Sequence, residues 1–300
     1  MGSRYGFLFF IWVNVWAMGC NHNRSSIDNA RAENLPAKNT PVAVPAPPDV
    51  TYHYQVLTKQ DRQKADSLVE HLDVLLALNR VDYKHLLRLD SIIAPDSFYT
   101  DFKAYSPFPW QLSFLNEVPK IIFYSYRIQA FAAYENGVLV KWGPVSMGKK
   151  STPTPTGLFF TNWRAKETIS TVNDEWIMKW YFNLDNFEGV SMHEYEMPGY
   201  PASHACVRLT PADAFWFYNW CEQWVLNKED KYRSIKAYGT PVLIFGTYDF
   251  GGAKPWRNLP VDKGAVTISA DELQKETEPH LEIIHKRRQQ RDSLMATMVI

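Results

Sequence analysis

One short segment of the chain holds several side chains that can do chemistry together. It runs from Ser191 to Leu209 and contains two histidines, His193 and His204, and the cysteine Cys206. A thiolate is a strong nucleophile, but a free thiol with a pKa near ~8.5 is mostly protonated at neutral pH and needs a base. A nearby imidazole can supply that base. The segment therefore predicts acyl transfer by a cysteine nucleophile.

The residues around the cysteine could complete such a site. Backbone N–H groups in the turn Ser203–Cys206 could hold the negative oxygen of a tetrahedral intermediate, where each donor contributes about 2.7–4 kcal/mol. Thr210-Pro211 predicts a helix start directly afterwards, because Thr caps helices and Pro suits the first helical position. We expect this helix to continue through Cys221 to Val225.

Three other interpretations of the segment stay open at this point. His193, His204 and Cys206 could ligate zinc, although no second Cys or His stands at ligand spacing. Cys206 could form a disulfide with Cys221, since exported proteins usually use their cysteines in pairs. The segment could also be an ordinary loop without chemistry.

The elements that must position these residues are mostly strands. Asn136-Gly137 between apolar runs predicts a β-hairpin, because both residues tolerate the positive φ of a tight turn. We therefore predict a mainly β (α+β) catalytic domain over residues 118–247, with a helix behind the cysteine. The strand-like runs are Ile121–Tyr124, Ile128–Tyr134, Val138–Val140, Leu158–Trp163, Trp176–Leu184, Gly189–His193 and Pro241–Phe245.

Helices are expected on both sides of this domain. In the segment 51–117, apolar residues three and four apart predict a helix over 58–92. We expect it to pack on the catalytic domain, with a cap over a substrate cleft or a partner surface as the alternatives. The C-terminal extension 248–300 contains a charged segment, 270–296, that predicts one more helix. The apolar residues of the first helix are Ala65, Leu68, Leu72, Leu75 and Leu76.

The N-terminus has the pattern of a targeting segment. An apolar run, Phe7–Met18, follows Arg4 and is too short for a comfortable membrane span, so residues 1–20 are typical of a signal peptide. Cys20 resembles the acylated cysteine of a bacterial lipoprotein, although Ala17 stands where Leu is usual. An ordinary signal peptide and an uncleaved anchor are the alternatives.

Composition limits the partners. Residues 21–50 are rich in proline and predict a semi-rigid linker. Lys+Arg and Asp+Glu are both 32, so the formal net charge of zero gives no reason to expect nucleic acid or an anionic membrane surface. We expect an exported monomer in the periplasm or cell envelope, attached to a membrane only through a lipid on Cys20.

The cysteine segment resembles a known family. Ser203-His204-Ala205-Cys206-Val207-Arg208 is similar to the signature of the L,D-transpeptidase (YkuD) catalytic domain, a His and a spacer followed by Ser/Thr-His-Gly-Cys, an apolar residue and Asn or Arg. Pro198-Gly199-Tyr200-Pro201-Ala202 resembles one branch of that family. The block from Gly148-Lys149 to Gly157-Leu158-Phe159 resembles its Gly-Lys…Thr-Pro-x-Gly-x-Phe segment.

The resemblance implies roles for particular residues. Cys206 would be the nucleophile and His193 the general base. Arg208 would bind a substrate carboxylate or, as the alternative, form a structural salt bridge. No metal or organic cofactor is implied. The residues expected to shape the site, form the oxyanion hole or contact substrate are Ser203, His204, Ala205, Gly199 and Tyr200, with backbone N–H groups of residues 204–206 as the oxyanion donors.

The resemblance also implies a reaction on peptidoglycan stem peptides. A terminal D-amino acid would leave, a thioester would form on Cys206, and an amine of another stem would resolve it into a crosslink. An L,D-carboxypeptidase or endopeptidase that uses water is one alternative. A catalytically weak wall-binding protein is another, because Ala205 replaces the family's Gly and would cost roughly 1–2 kcal/mol if the turn needs positive φ.

Overall fold

The computed structural model describes residues 45–63, 70–170, 175–187 and 189–298. The predicted signal peptide with Cys20, most of the linker, and Ala65 and Leu68 of the predicted N-terminal helix lie outside the described residues. None of the helices in these four stretches has the length and apolar character that a membrane span requires.

Short helices and strands follow one another through the described residues. The first part contains β1 (Tyr52–Val56), α1 (Lys59–Gln63), α2 (Leu72–Asn79), α3 (Tyr83–Leu86) and β2 (Ser91–Pro95). The middle part contains β3 (Ile121–Ser125), β4 (Ala130–Glu135), β5 (Val138–Pro144), β6 (Gly157–Phe160), β7 (Arg164–Ile169), β8 (Ile177–Asp185), β9 (Val190–Glu194) and β10 (Val207–Leu209). The last part contains α4 (Pro211–Trp220), β11 (Val225–Leu226), β12 (Ile235–Ala237), β13 (Pro241–Phe245), α5 (Ala270–Thr277) and α6 (Leu281–Met298).

Two mixed sheets form the centre of the molecule. One has the strand order β5-β4-β3-β13-β6 and the other β10-β9-β8-β7. Only β3 with β13 and β9 with β10 pair in parallel within these sheets. Together with the helices of the C-terminal part, these sheets confirm the predicted mainly β (α+β) fold class.

The strand β3 shows how the core is divided. Side chains alternate across a strand, and here both faces are buried. Ile121 and Phe123 pack into a cluster that includes the N- and C-terminal segments, while Ile122 and Tyr124 pack against the second sheet and α4. The five-stranded sheet therefore lies between two apolar layers.

The predicted hairpin at Asn136-Gly137 is confirmed. Both residues have positive φ, 47° and 76°, and they join β4 to β5 as an antiparallel pair. A Cβ atom on Gly137 would lie 2.3 Å from the Leu112 carbonyl oxygen, so the turn needs glycine for space as well as for φ.

The prediction of one helix over 58–92 is wrong, because α2 begins only at Leu72, after a turn at Glu70 and His71, and ends at Asn79. Arg80 adopts a left-handed φ of 60° and ends α2, and only the short α3 follows. Ser91 and Ile92 belong to β2, which pairs antiparallel with β1. Leucine spacing alone missed this break because the turn at Arg80 is stabilised by tertiary contacts, including a hydrogen bond from Arg80 Nε to the Ile128 carbonyl.

Two helix ends also differ from the prediction. The helix after the cysteine begins as predicted, with Thr210 Oγ1 accepting from the Asp213 N–H, but it ends at Trp220, and Val225 lies in β11. The tail helix is interrupted at Glu278–His280. Pro279 lies in this interruption, and proline lacks the N–H that a continuous helix requires.

The N- and C-terminal segments share one core with the central sheet. Val74 and Leu78 of α2, Trp142 of β5, and Trp256 and Ile284 of the tail belong to the same buried cluster. The predicted packing of the N-terminal helical segment against the catalytic domain is thus confirmed for α2.

Candidate active site

Parallel pairing of β9 and β10 brings the predicted chemical groups together. His193 pairs with Arg208 and Met192 with Val207, so Cys206 lies beside Ser191 at the start of the pair. Because side chains alternate, Met192 and Val207 point into the core. Cys206, Arg208, Ser191 and His193 therefore share the other face.

The turn before Cys206 is strained at one residue. Ala205 has φ 75°, a left-handed conformation in which glycine carries no steric penalty. The turn therefore needs positive φ, and the cost expected for Ala in place of the family's Gly applies. The Ala205 N–H donates to the Thr152 carbonyl at 3.2 Å. The expected oxyanion donor at Ala205 is therefore wrong, because this N–H already has a partner.

Ser203 holds the same turn together. Its hydroxyl donates to the Cys206 carbonyl, and its N–H donates to the Met147 carbonyl at 3.0 Å. The side chain is buried, at 2% exposure. Ser203 therefore fixes the backbone that carries the sulfur rather than reaching into open space.

The Gly148-Lys149 block braces the turn from the other side. Lys149 N–H donates to the Ser203 carbonyl at 2.9 Å, and Gly148 N–H donates to Thr154 Oγ1 at 2.8 Å. A Cβ atom on Gly148 would lie 2.3 Å from the Thr152 carbonyl oxygen, so only glycine fits. The sequence did not show this bracing role, because the two blocks meet only in the fold.

His193 is held as a neutral imidazole with one free nitrogen. Its Nδ1 donates to the Glu194 carbonyl at 2.9 Å, which leaves Nε2 as the acceptor nitrogen. Burial, with a smaller contribution from the positive charge of Arg208, lowers the pKa of His193 from 6.5 to about 4, and the hydrogen bond to Glu194 only partly opposes this effect. The ring can therefore accept a proton at any pH well above 4.

The sulfur of Cys206 has oxygen neighbours rather than an imidazole. It lies 3.1 Å from Ser191 Oγ and 3.6 Å from the Gly189 carbonyl oxygen. Across the described residues, no hydrogen bond joins this sulfur to His193, so the expected thiol–imidazole contact is not formed. His193 lies two residue pairs further along the strands, so direct proton transfer between Nε2 and the sulfur requires a side-chain rotation.

Burial sets the protonation state of the sulfur. It raises the pKa of the Cys206 thiol, and hydrogen bonds to Ser191 and the charge of Arg208 only partly oppose this effect. Cys206 and His193 are therefore a neutral thiol and a neutral imidazole at pH 7, rather than a preformed ion pair.

The disulfide and zinc interpretations are not supported. Cys206 and Cys221 are both free, and Cys221 is buried in the core with a strongly raised thiol pKa caused by burial. The Lys149 ammonium donates to His204 Nε2 at 2.8 Å, which places a positive charge where a zinc ion would need a ligand.

His204 forms one wall of the site. Its ring centroid lies 5.1 Å from that of Trp176. Burial, followed by the charges of Lys149 and Arg208, lowers its pKa. Its Nδ1 is buried and has no hydrogen-bond partner in the part of the chain that the structure describes. A neutral ring with Nε2 accepting from Lys149 carries its proton on Nδ1, which leaves a donor for a ligand.

These groups open onto one cavity of about 420 Å³. That volume lies within the range of small-molecule and cofactor sites. The aromatic residues of its lining could not be recognised beforehand, because their sequence neighbourhood does not distinguish them from aromatic residues of the core. The predicted residues in the lining are His193, Ser203, His204, Cys206 and Arg208, and the aromatic ones are Trp163, Trp176, Tyr181, Phe187 and Tyr195.

Gly199 and Tyr200 are not part of this lining, and their contact with substrate stays a prediction. Gly199 has φ 78°, and a Cβ atom there would lie 2.8 Å from Val81 Cγ1, which explains the glycine. The Tyr200 ring is half exposed and lies under the Lys254 ammonium, 5.3 Å from its centroid.

Arg208 has no carboxylate partner among the described residues, so the structural salt bridge is not formed. Its guanidinium carbon lies 4.5 Å from the centroid of the Tyr195 ring, and Nη1 donates to the Glu196 carbonyl at 3.4 Å. The remaining N–H groups are left for a ligand at the edge of the cavity.

Fold and site together define a mainly β domain with a cysteine–histidine pair at one cavity. Residues 119–244 match the model of the YkuD family, the L,D-transpeptidase catalytic domain. This match supports the family resemblance of the two motifs, while the branch assignment from Pro198–Ala202 stays a prediction. No curated protein matches the chain.

Several solved structures are similar to parts of the chain. An L,D-transpeptidase from Stackebrandtia nassauensis is 19% identical, with a TM-score of 0.34, over 43% of this chain and 57% of that one. L,D-transpeptidase 1 of Mycobacterium tuberculosis is 21% identical, with a TM-score of 0.32, over 43% of this chain and 62% of its own. The E. faecium catalytic domain is 21% identical, with a TM-score of 0.32, over 42% and 96%. The chain thus spans less than two thirds of the first two proteins.

We expect the burial of His193 to make stability depend on pH. Its pKa is about 4 in the folded protein and about 6.5 in the unfolded chain. Between pH 7 and pH 5 the unfolded state gains a proton that the folded state does not, so about 2 kcal/mol of stability is lost. Urea unfolding of the wild type and His193→Gln at both pH values measures this, and an equal loss in both proteins would contradict it.

We expect Ala205→Gly to stabilise the protein by about 0.5–1 kcal/mol. Relief of the left-handed penalty, roughly 1–2 kcal/mol, outweighs the roughly 0.4–1 kcal/mol of added unfolded-state entropy. Ala202→Gly is the matched control, because the φ of Ala202 is not positive and only the entropy cost applies. Urea unfolding should move in opposite directions for the two variants, and a loss of stability in both would rule out strain at Ala205.

Proposed function

We propose that the protein is a peptidoglycan L,D-transpeptidase with Cys206 as the nucleophile and His193 as the general base. The observation that carries the proposal is that His193 on β9 and Cys206, directly before β10, line one cavity, with His193 neutral and its Nε2 free. The match of residues 119–244 to the L,D-transpeptidase catalytic domain supports this class of reaction.

The first half of the reaction forms a thioester. His193 Nε2 takes the proton of the Cys206 thiol, and the sulfur attacks the carbonyl between the diamino acid and the terminal D-residue of a stem peptide. The imidazolium then returns the proton to the leaving nitrogen as the C–N bond breaks. The D-amino acid leaves, and the acyl group stays on sulfur.

The second half forms the crosslink. An amine of a second stem attacks the thioester carbonyl, and His193 accepts the proton that this nitrogen loses. Collapse of the intermediate breaks the C–S bond, and the proton passes to the departing thiolate, which restores Cys206. Because Ala205 N–H is already bonded, we assign the oxyanion donors to the backbone N–H groups of His204 and Cys206.

Arg208 fits the carboxylate end of such a substrate. Its guanidinium lies beside His193 on the neighbouring strand and has N–H groups without a protein carboxylate among the described residues. A charge-assisted bond to a free carboxylate is stronger than a neutral one. The terminal D-residue carries such a carboxylate next to the bond that breaks.

A stem-peptide assay tests the reaction. Purified tetrapeptide stems incubated with the protein should give crosslinked dimers and a free D-amino acid by mass spectrometry, whereas tripeptide alone would indicate the carboxypeptidase that uses water. Cys206→Ala should abolish both products, and Cys221→Ala should retain them. No product with folded wild-type protein would favour a wall-binding role. A stem amidated at its terminal carboxylate should react more slowly if Arg208 receives that group.

We expect one carbapenem molecule to acylate Cys206, as the family resemblance implies. Intact mass should show a single covalent adduct in the wild type and in Cys221→Ala, because Cys221 is buried with a raised thiol pKa. The adduct should be absent in Cys206→Ala. An adduct that persists in Cys206→Ala would place the reactive nucleophile elsewhere.

A further inference from the structure

The Cys206 sulfur has a close hydroxyl neighbour to which the reaction above gives no role. Ser191 Oγ lies 3.1 Å from the sulfur, within the same cavity lining. The pairing of β9 with β10 fixes this neighbour, because Ser191 precedes Met192 as Cys206 precedes Val207. The contact therefore follows from strand register rather than from a flexible side chain.

The two oxygen neighbours of the sulfur are not equivalent. The Gly189 carbonyl, 3.6 Å away, can only accept a hydrogen bond, so it can serve the thiol but not the thiolate. The Ser191 hydroxyl can donate, so it can bond to the sulfur after its proton has left. Ser191 is 1% exposed, and water cannot readily replace this donor.

The hydrogen bonds from Ser191 act in the direction expected of donors to the sulfur. They lower the pKa of the Cys206 thiol and so oppose the effect of burial. A bond that the hydroxyl accepted from the thiol would have the opposite effect, because it would stabilise the protonated sulfur.

We infer that Ser191 is a positioning residue whose hydroxyl donates a hydrogen bond to the Cys206 sulfur, aiming the sulfur at the cavity and stabilising it as a thiolate. The inference rests on the proposed function only in taking Cys206 as the nucleophile. Whichever base removes the thiol proton, the negative charge stays on the sulfur, and the Ser191 hydroxyl donates a hydrogen bond to it. In the proposed function, His193 removes the proton of Cys206, while Ser191, two positions earlier on β9, stabilises the thiolate.

The test is the pH profile of Cys206 alkylation by iodoacetamide, quantified by peptide mapping of the full chain. The thiolate sulfur bonds to the methylene carbon and iodide leaves, so the rate follows thiolate reactivity without any stem peptide. All variants keep the other titratable and charged groups that face the sulfur or line the cavity. These are Tyr181 on β8, Asp185 at its end, His193 on β9, Tyr195 just after it, His204 in the turn and Arg208 on β10.

Ser191→Thr and Ser191→Val form the matched pair, since they have nearly the same shape and only Thr keeps a hydroxyl. We expect Ser191→Val and Ser191→Ala to move the profile up by about one pH unit and to slow alkylation at pH 7 about tenfold. Ser191→Thr should stay close to the wild type. Ser125→Ala, which removes a buried hydroxyl on β3, should leave the profile unchanged.

Circular dichroism and thermal unfolding confirm that each variant is folded. If Ser191→Ala does not fold, the comparison of Thr with Val decides alone. A wild-type profile in folded Ser191→Val, or equal shifts in Thr and Val, would overturn the inference. Because the alkylation assay needs no substrate, a negative stem-peptide assay would contradict the proposed function but would leave the alkylation result for Ser191 valid.

Discussion

The parallel pairing of β9 with β10 is the constraint on which the site depends. Neither strand carries a complete site, since His193 and Ser191 lie on one and Arg208 on the other, with Cys206 at the entrance of the second. A shift of one residue in this register would send Cys206 and Arg208 toward the core and bring Val207 to the cavity. The apolar residues Met192 and Val207, buried on the opposite face, prevent that shift.

A second layer of structure keeps the entrance of β10 in place. The Ser203–Cys206 turn is bonded on one side to Met147 and Lys149 and on the other to its own serine hydroxyl. These bonds compensate for the left-handed conformation of Ala205. The Gly148-Lys149 block thus contributes to the geometry of the site, since it fixes the backbone that carries the Cys206 sulfur.

Local sequence patterns predicted the elements that are defined by local physics. The hairpin at Asn136-Gly137, the helix start at Thr210 and the strand Pro241–Phe245 each follow from turn chemistry, capping or a bounded apolar run. The break at Arg80 did not, because its conformation is stabilised by contacts with Ile128, Trp142 and Trp256, which are distant in sequence.

The site likewise combines residues that a local sequence motif reveals with residues that only the fold brings together. Cys206, the two histidines and Arg208 were identified as candidates from one contiguous segment, and the fold brings them to one cavity. Ser191 received no role and the aromatic wall was missed, because a serine in a strand and a tryptophan in an apolar run look like ordinary sheet residues. Gly199 and Tyr200 lie outside the lining of that cavity, since a motif shows neighbourhood in sequence but not direction in space.

The shared apolar layer behind β3 has a consequence for how the molecule can be divided. Trp256 and Ile284 cover the face of the central sheet that points away from the cavity, together with Val74 and Leu78. A fragment trimmed to residues 119–244 would leave that face bare to water and prone to self-association. The segment that matches the family model is therefore shorter than the segment that contributes to this buried core.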